Sequence, residues 1–278
     1  MRAGDKRPIC DFRKVFDFCF ETVRGLLIYA KEGKFDSIFI HEKIPTQLAL
    51  LIKLCFLENQ ELVCSLLATK VAGKEIRNDD KVLDLLNYAI GTLKCFTQTN
   101  RAVQEETIRQ RMIPVLALCV EKILMVPVAP TKKAMILVQV TGTLRNLANV
   151  DSSHLEISRS VVRRMCDIFF DPHLNGGKEL ILNIARLLSK VSLDLQCAEA
   201  VVKSGHLLKF QAAMTTTHRE HSAVLIRIAY ILGNLTTNFD EAREQLNHKD
   251  AQTLRKMMEI SNYYLLRDAN PDAYRPAD

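Results

Sequence analysis

The stretch TGTLRNLANV, Thr141 to Val150, recurs in altered form along the chain as IGTLKCFTQT, LNIARLLSKV and AYILGNLTTN. A helix repeated this way buries its apolar face only against copies of itself, so the spacing constrains the fold more than any single residue does. In KKAMILVQVTGTLRNLANV, the positions Leu137, Val140, Leu144, Leu147 and Ala148 fall on one helical face. The same face runs through Leu83, Leu86, Ile90, Leu93 and Phe96, through Ile181, Ile184, Ala185, Leu188 and Val191, and through Leu225, Ile228, Leu232 and Leu235.

Taking Phe96, Leu147, Leu188 and Leu235 as anchors gives spacings of 51, 41 and 47 residues. These lie near the roughly 40 to 47 residues of armadillo and HEAT units, with loop insertions absorbing the excess. A second element keeps step with the first: Ile113, Val161 and Leu207 occupy equivalent places in RQRMIPVLALCVEKIL, SRSVVRRMCDIFF and VVKSGHLLKFQAAM, 48 and 46 residues apart. Cys55-Phe56, standing 40 residues before Cys95-Phe96, suggests a more diverged unit upstream. Loops are expected at 72–81, 126–133, 171–177 and 215–221, where proline, glycine or polar clusters stop a helix.

The pattern predicts an all-α fold built as a single α-solenoid over 1–278, diverged over 1–80, clearest over 81–260 and ending in a tail over 261–278. Strands have little claim, with only 10 Gly and 8 Pro and helical spacing almost everywhere. Hydrophobic residues at 48% supply a large core. Lys+Arg 38 against Asp+Glu 32 gives a net charge of +6, short of the dense basic stripe of a dedicated nucleic-acid binder. The eight cysteines, at 10, 19, 55, 64, 95, 119, 166 and 197, form no CxxC pair and read as reduced core thiols of a cytosolic-type compartment. Charged residues interrupt every apolar run before it reaches bilayer length, so a soluble intracellular chain with no membrane insertion is expected.

The TLRNLA of 143–148 resembles the third-helix pattern of the armadillo family, and RMIPVLALCV resembles the Gly-Ile-Pro start of that family's next repeat. The resemblance covers about the C-terminal two thirds of the chain. It implies a right-handed superhelix of about five or six units and a non-catalytic protein-interaction scaffold. The phrases ILVQVTGTLRNLA, NIARLLSKVSLDLQCAEAV and YILGNLTTNFDEAREQL are similar to a ciliary and flagellar branch of the family. That narrower likeness implies an adaptor for the assembly and transport of axonemal complexes such as radial spokes, in cytoplasm and cilium. Armadillo-type nuclear import receptors place Trp four residues before the third-helix Asn; here Gly142 and Tyr230 stand there and the chain has no Trp, which argues against that role.

By the same resemblance one side of the third helix lines a concave groove. Carrying the register across assigns Lys94, Cys95 and Gln98, then Arg145, Asn146 and Asn149, then Asn183, Arg186 and Lys190, then Tyr230, Asn234 and Thr237 to that side, facing solvent. Asn can bond an extended backbone through both its donor and its acceptor, and Arg pairs bidentately with carboxylates, so the set suits acidic extended segments of partner proteins. Ordinary solvated residues or helix-packing asparagines remain the competing reading. The alternative function, a nucleic-acid or phosphate binder using a basic groove, would show a steep salt dependence.

No cofactor is expected. His218 and His221 in HREH lack a third metal ligand, and GGKE at 176–179 lacks the upstream glycine and following Ser or Thr of a phosphate loop. Asn234-Leu235-Thr236 is a sequon inside a helix of an intracellular chain, expected to stay unmodified. No nucleophile has a base and carboxylate placed near it in sequence, so catalysis is not expected.

Overall fold

The computed structural model describes residues 12–34, 36–54, 69–71, 74–76, 79–174, 177–216, 221–247, 255 and 258–259. The chain divides into two compact units, Met1–Val150 and Asp151–Asp278. Both are built from the same three-helix module: two shorter helices and a longer third one.

In the first unit α1 (Phe12–Glu32) is followed by α2 (Asp36–His41), α3 (Ile44–Lys53), a small antiparallel hairpin of β1 (Thr69–Val71) and β2 (Lys74–Ile76), and α4 (Asp79–Thr99). Then come α5 (Arg101–Arg109), α6 (Met112–Met125) and α7 (Pro130–Leu147). The long helices α1, α4 and α7 stack side by side, with α4 in the middle. In the second unit a 3-10 turn at Asp151–Ser153 leads into α8 (His154–Ser160), α9 (Val162–Phe169), α10 (Lys178–Val191), α11 (Leu195–Lys203), α12 (His206–Thr216), α13 (Ser222–Asn238) and α14 (Asp240–Asn247). There α10 packs on α13, and α8 on α11. The described helices therefore form four complete triplets, α2–α4, α5–α7, α8–α10 and α11–α13, with α1 and α14 flanking them.

Every apolar anchor read from the sequence is buried: Phe96, Leu147, Leu188 and Leu235, and also Ile113, Val161 and Leu207. Each third helix carries four or five buried apolar residues on one face, and that face packs into the core of its unit. The module boundaries are fixed chemically. Asn100 caps α5 by accepting from the Val103 amide at 3.0 Å, and Asp194 caps α11 by accepting from Gln196 and Cys197 at 3.0 and 3.3 Å. At the junction from first to second helix, Lys43, Arg111 and Gly205 take left-handed φ values of 56°, 59° and 73°. This is the tight corner that lets a short helix turn sharply into the next. The fourth junction is made differently, Val161 standing at φ −141°.

Three expectations need correction. The hairpin at 69–76 sits where helix or loop was expected; Thr69, Val71 and Ile76 are β-branched, and short stretches of such residues suit a pleated ribbon. The loop expected over 126–133 ends early, because Pro130 opens α7 at the one helical position where a missing N–H costs nothing. The loop expected over 72–81 likewise gives way to β2 and to the start of α4 at Asp79. Cys55-Phe56, His218, Gly176 and the tail over 261–278 lie outside the described residues. Of the cysteines within them, Cys119, Cys166 and Cys197 are buried thiols and Cys19 and Cys95 are half-buried, all free.

Candidate partner-binding surface

The third helices carry the residues assigned to the groove, but the stacking spends several of them. Asn146 on α7 is 3% exposed. Its amide donates to the Lys94 carbonyl at 2.9 Å and to Thr97 Oγ1 at 3.2 Å, both on α4. Its carbonyl oxygen accepts from Arg145 Nε and Nη2 at 3.3 and 3.0 Å. The side chain expected to grip a partner's backbone with donor and acceptor is thus engaged at both ends within its own unit. Asn234 on α13 does the same work: it donates to the Ser189 carbonyl of α10 at 3.1 Å and to Oγ of Ser192, just past the end of α10, at 2.9 Å. Asn183 is also buried, at 3% exposure. The expectation that these asparagines face solvent is corrected, because close helix stacking leaves backbone carbonyls in need of a donor and a short amide supplies it.

The matching bonds also correct the register. Asn146 meets Lys94 and Thr97 as Asn234 meets Ser189 and Ser192, so Ser189 is the counterpart of Lys94. The counterpart of Phe96 on α10 is then Val191, not Leu188, and the spacings become 51, 44 and 44. Arg186 therefore sits three residues, nearly one turn, away from the position of Lys94 and Arg145. The three cations do not share one register.

The remaining residues lie nearer solvent. Lys94, Arg145, Arg186 and Lys190 are half-buried; Asn149 is exposed and its carbonyl accepts from Arg101 Nη1 at 2.9 Å. Tyr230 is 57% exposed, with the Arg227 guanidinium 5.8 Å from its ring centre. Gln98 and Thr237 are exposed, the latter donating to the Gly233 carbonyl at 2.8 Å, and Cys95 is half-buried.

Sequence reasoning missed one cluster, because Asp167 on α9 lies far in sequence from Ser204 and His206 at the α11–α12 corner. Ser204 Oγ lies 2.6 Å from His206 Nδ1, and His206 Nε2 lies 3.1 Å from Asp167 Oδ1. The order resembles a catalytic triad, but the His206 side chain is buried and its ring stacks parallel to that of Phe170, as in a packed structural cluster. Ser204 also bonds the Val201 carbonyl. The cluster braces α9 against the α11–α12 corner. Burial pushes the His206 pKa below its ordinary value, with the nearby Asp167 acting in the opposite direction. Among the described residues, no group of three His, Cys, Asp or Glu side chains could hold a metal ion. No described helix is long and apolar enough to cross a membrane.

No family model matches the chain. It is 27% identical over 153 residues to armadillo repeat-containing protein 2 of Bos taurus, a match that covers 51% of this chain and 18% of that one. With the Homo sapiens protein of the same name it shares 30% over 145 residues, 50% of this chain and 16% of the relative. The Mus musculus protein gives 25% over 137 residues, 49% and 16%. The chain thus matches less than a fifth of the length of these relatives. Among solved structures, an engineered protein from the Northeast Structural Genomics Consortium superposes with a TM-score of 0.55 at 14% identity, covering 87% of this chain and 89% of that one. That likeness concerns the fold alone. With modules of two short helices and a long one joined by a recurrent asparagine bond, the fold is an all-α helical-repeat fold, and over about half its length the chain is similar to three armadillo repeat proteins.

Proposed function

We propose that the chain is a non-catalytic protein-interaction scaffold that holds extended acidic segments of partner proteins along its third helices. The observation that carries this reading is the division of labour on those helices. Asn146 and Asn234 bond the neighbouring long helix and Asn183 is buried, while longer side chains beside them stay accessible in part, Lys94 and Arg145 in the first unit and Arg186 and Lys190 in the second, or are exposed, as Tyr230 is. Guanidinium and ammonium groups at such a surface make charge-assisted bonds to carboxylates, worth about 1.5–3 kcal/mol each. The finer reading, an adaptor for axonemal complexes such as radial spokes in cytoplasm and cilium, rests on the likeness of 136–148, 183–201 and 230–246 to the ciliary branch of the family.

Arg186→Glu with Lys190→Glu tests this. Capture of partner proteins from flagellated-cell extract should fall at least tenfold while the melting temperature stays within a few degrees of wild type. Undiminished capture by a normally folded double variant would move the partner surface elsewhere. Binding to generic RNA that collapses between low and moderate salt, with no protein captured, would favour the nucleic-acid alternative.

A further inference from the structure

Asn234 fixes how α13 sits beside α10, because its amide reaches the Ser189 carbonyl at 3.1 Å. The modules repeat, so the two helices run the same way, and one turn toward their amino ends Arg186 of α10 stands level with Tyr230 of α13. A further turn back, Leu182 stands level with Ile226. These four residues lie on the accessible side of their helices: Tyr230 is 57% exposed and Ile226 36%, while Arg186 and Leu182 are half-buried. The Arg186 guanidinium has no carboxylate partner among the described residues, and a half-buried cation without a counter-ion favours an anion brought by another molecule. Lys190, one turn beyond Arg186, and the Arg227 guanidinium, 5.8 Å from the Tyr230 ring centre, add positive charge here, whereas Glu179 stands away in the first turn of α10. Gly233, level with Ser189, leaves the strip beyond Tyr230 open, since a Cβ there would meet nothing within 4 Å. The face is thus cationic on α10 and apolar on α13.

We propose that this face of the second unit takes an extended protein segment that pairs acidic residues with one large apolar side chain about three residues away. The inference rests on the reading of the third helices as a surface for acidic segments, and adds the chemistry the segment must carry beyond charge. Its carboxylates pair with Arg186 and Lys190 on α10, where a guanidinium fork matches a carboxylate in two bonds. Its apolar side chain lies across Tyr230 and Ile226 on α13 and removes surface that water now meets. Neighbouring helix axes lie about 8–10 Å apart and an extended chain advances about 3.3 Å per residue, so crossing from α10 to α13 takes about three residues. An acidic segment without the apolar residue leaves Tyr230 and Ile226 wet, and an apolar one without the acid leaves Arg186 without its anion. Requiring both makes the face selective.

Fluorescence anisotropy of the full chain with synthetic serine-rich peptides tests this. One peptide carries adjacent glutamates with a phenylalanine at that spacing on either side; its counterpart has serine in place of each phenylalanine. Wild type should bind the first at least tenfold more tightly than the second, the gain from seating one large apolar side chain. Tyr230→Ser and Ile226→Ser should each reduce that ratio by about threefold or more with unchanged helical circular dichroism, and Arg186→Glu should weaken both peptides at least tenfold. Equal binding of the two peptides by wild type, with both weakened in Arg186→Glu, would overturn this inference and leave the acidic-segment reading intact. A phenylalanine advantage that persists in full in Tyr230→Ser and Ile226→Ser would also overturn it. Binding of neither peptide would overturn both.

Discussion

Asn234 stands to Ser192 as Asn146 stands to Thr97. In each pair the amide reaches a hydroxyl and, beside it, a main-chain carbonyl three residues earlier, on the neighbouring long helix of the same unit. Those hydroxyls already donate back into their own helices, Thr97 to Leu93 at 2.9 Å and Ser192 to Ser189 at 3.3 Å, so their oxygens are left to accept. The asparagine is thereby the donor that completes the joint.

Removing that donor should cost stability. Asn146→Ala removes the inter-helix donor to the Lys94 carbonyl and the Asn146 oxygen that Arg145 bonds, in a site 3% exposed, so a loss of about 1–3 kcal/mol is expected. Asn234→Ala, half-buried, should cost about 1 kcal/mol. Urea denaturation of the two variants checks this. Equal, negligible losses would mean that water replaces the amide at both joints.

The left-handed corners give a prediction of opposite sign. Lys43 is exposed and held at φ 56°, a conformation that costs a residue with a Cβ about 1–2 kcal/mol, whereas glycine pays about 0.5–1 kcal/mol in chain entropy. Lys43→Gly should therefore stabilise the first unit by about 0.5–1 kcal/mol. At the equivalent corner, Gly205→Ala should destabilise by about 0.5–1 kcal/mol by the same backbone balance, since the added Cβ would meet nothing within 4 Å. Thermal melting of both variants, one up and one down, is the check.

Leu147 has no exposed surface, and Leu147→Ala should cost about 2–5 kcal/mol by emptying the joint between α7 and its neighbours. A melting temperature unchanged by that substitution would refute the core register. This face was legible because burial selects apolar residues at helical intervals, and every third-helix anchor read that way is buried. What the pattern could not deliver was phase between modules. Leu188 and Val191 both lie on the buried face of α10, one turn apart, so periodicity alone fits either; only the Asn234 bond to Ser189 chooses between them. The fate of the asparagines was hidden for the same reason. A polar residue at the edge of an apolar stripe can face water or a neighbouring carbonyl, and the neighbour comes from a helix some 45 residues away.

His206 supplies the pH dependence. Burial lowers its folded pKa below the unfolded value of about 6.5, despite the opposing pull of Asp167, with Lys209 and Arg163 adding to the depression. Between the folded pKa and about pH 6.5 the unfolded chain then binds more protons than the native one, so stability rises with pH across that window. The contribution is fully present above about pH 6.5 and is lost as the pH falls through the folded pKa. Urea midpoints measured from roughly pH 5 to 8 should climb for wild type, and the climb should be shallower in His206→Gln, which keeps a polar group but cannot take up the proton. Asp167→Asn removes the one neighbour that favours the imidazolium, so it should push the His206 pKa further down and extend the acid-side loss to lower pH. NMR titration of the His206 ring in wild type and Asp167→Asn reads the shift directly. A ring that titrates above its ordinary value would mean that the Asp167 contact, 3.1 Å from Nε2, outweighs burial, and the pH slope would then reverse.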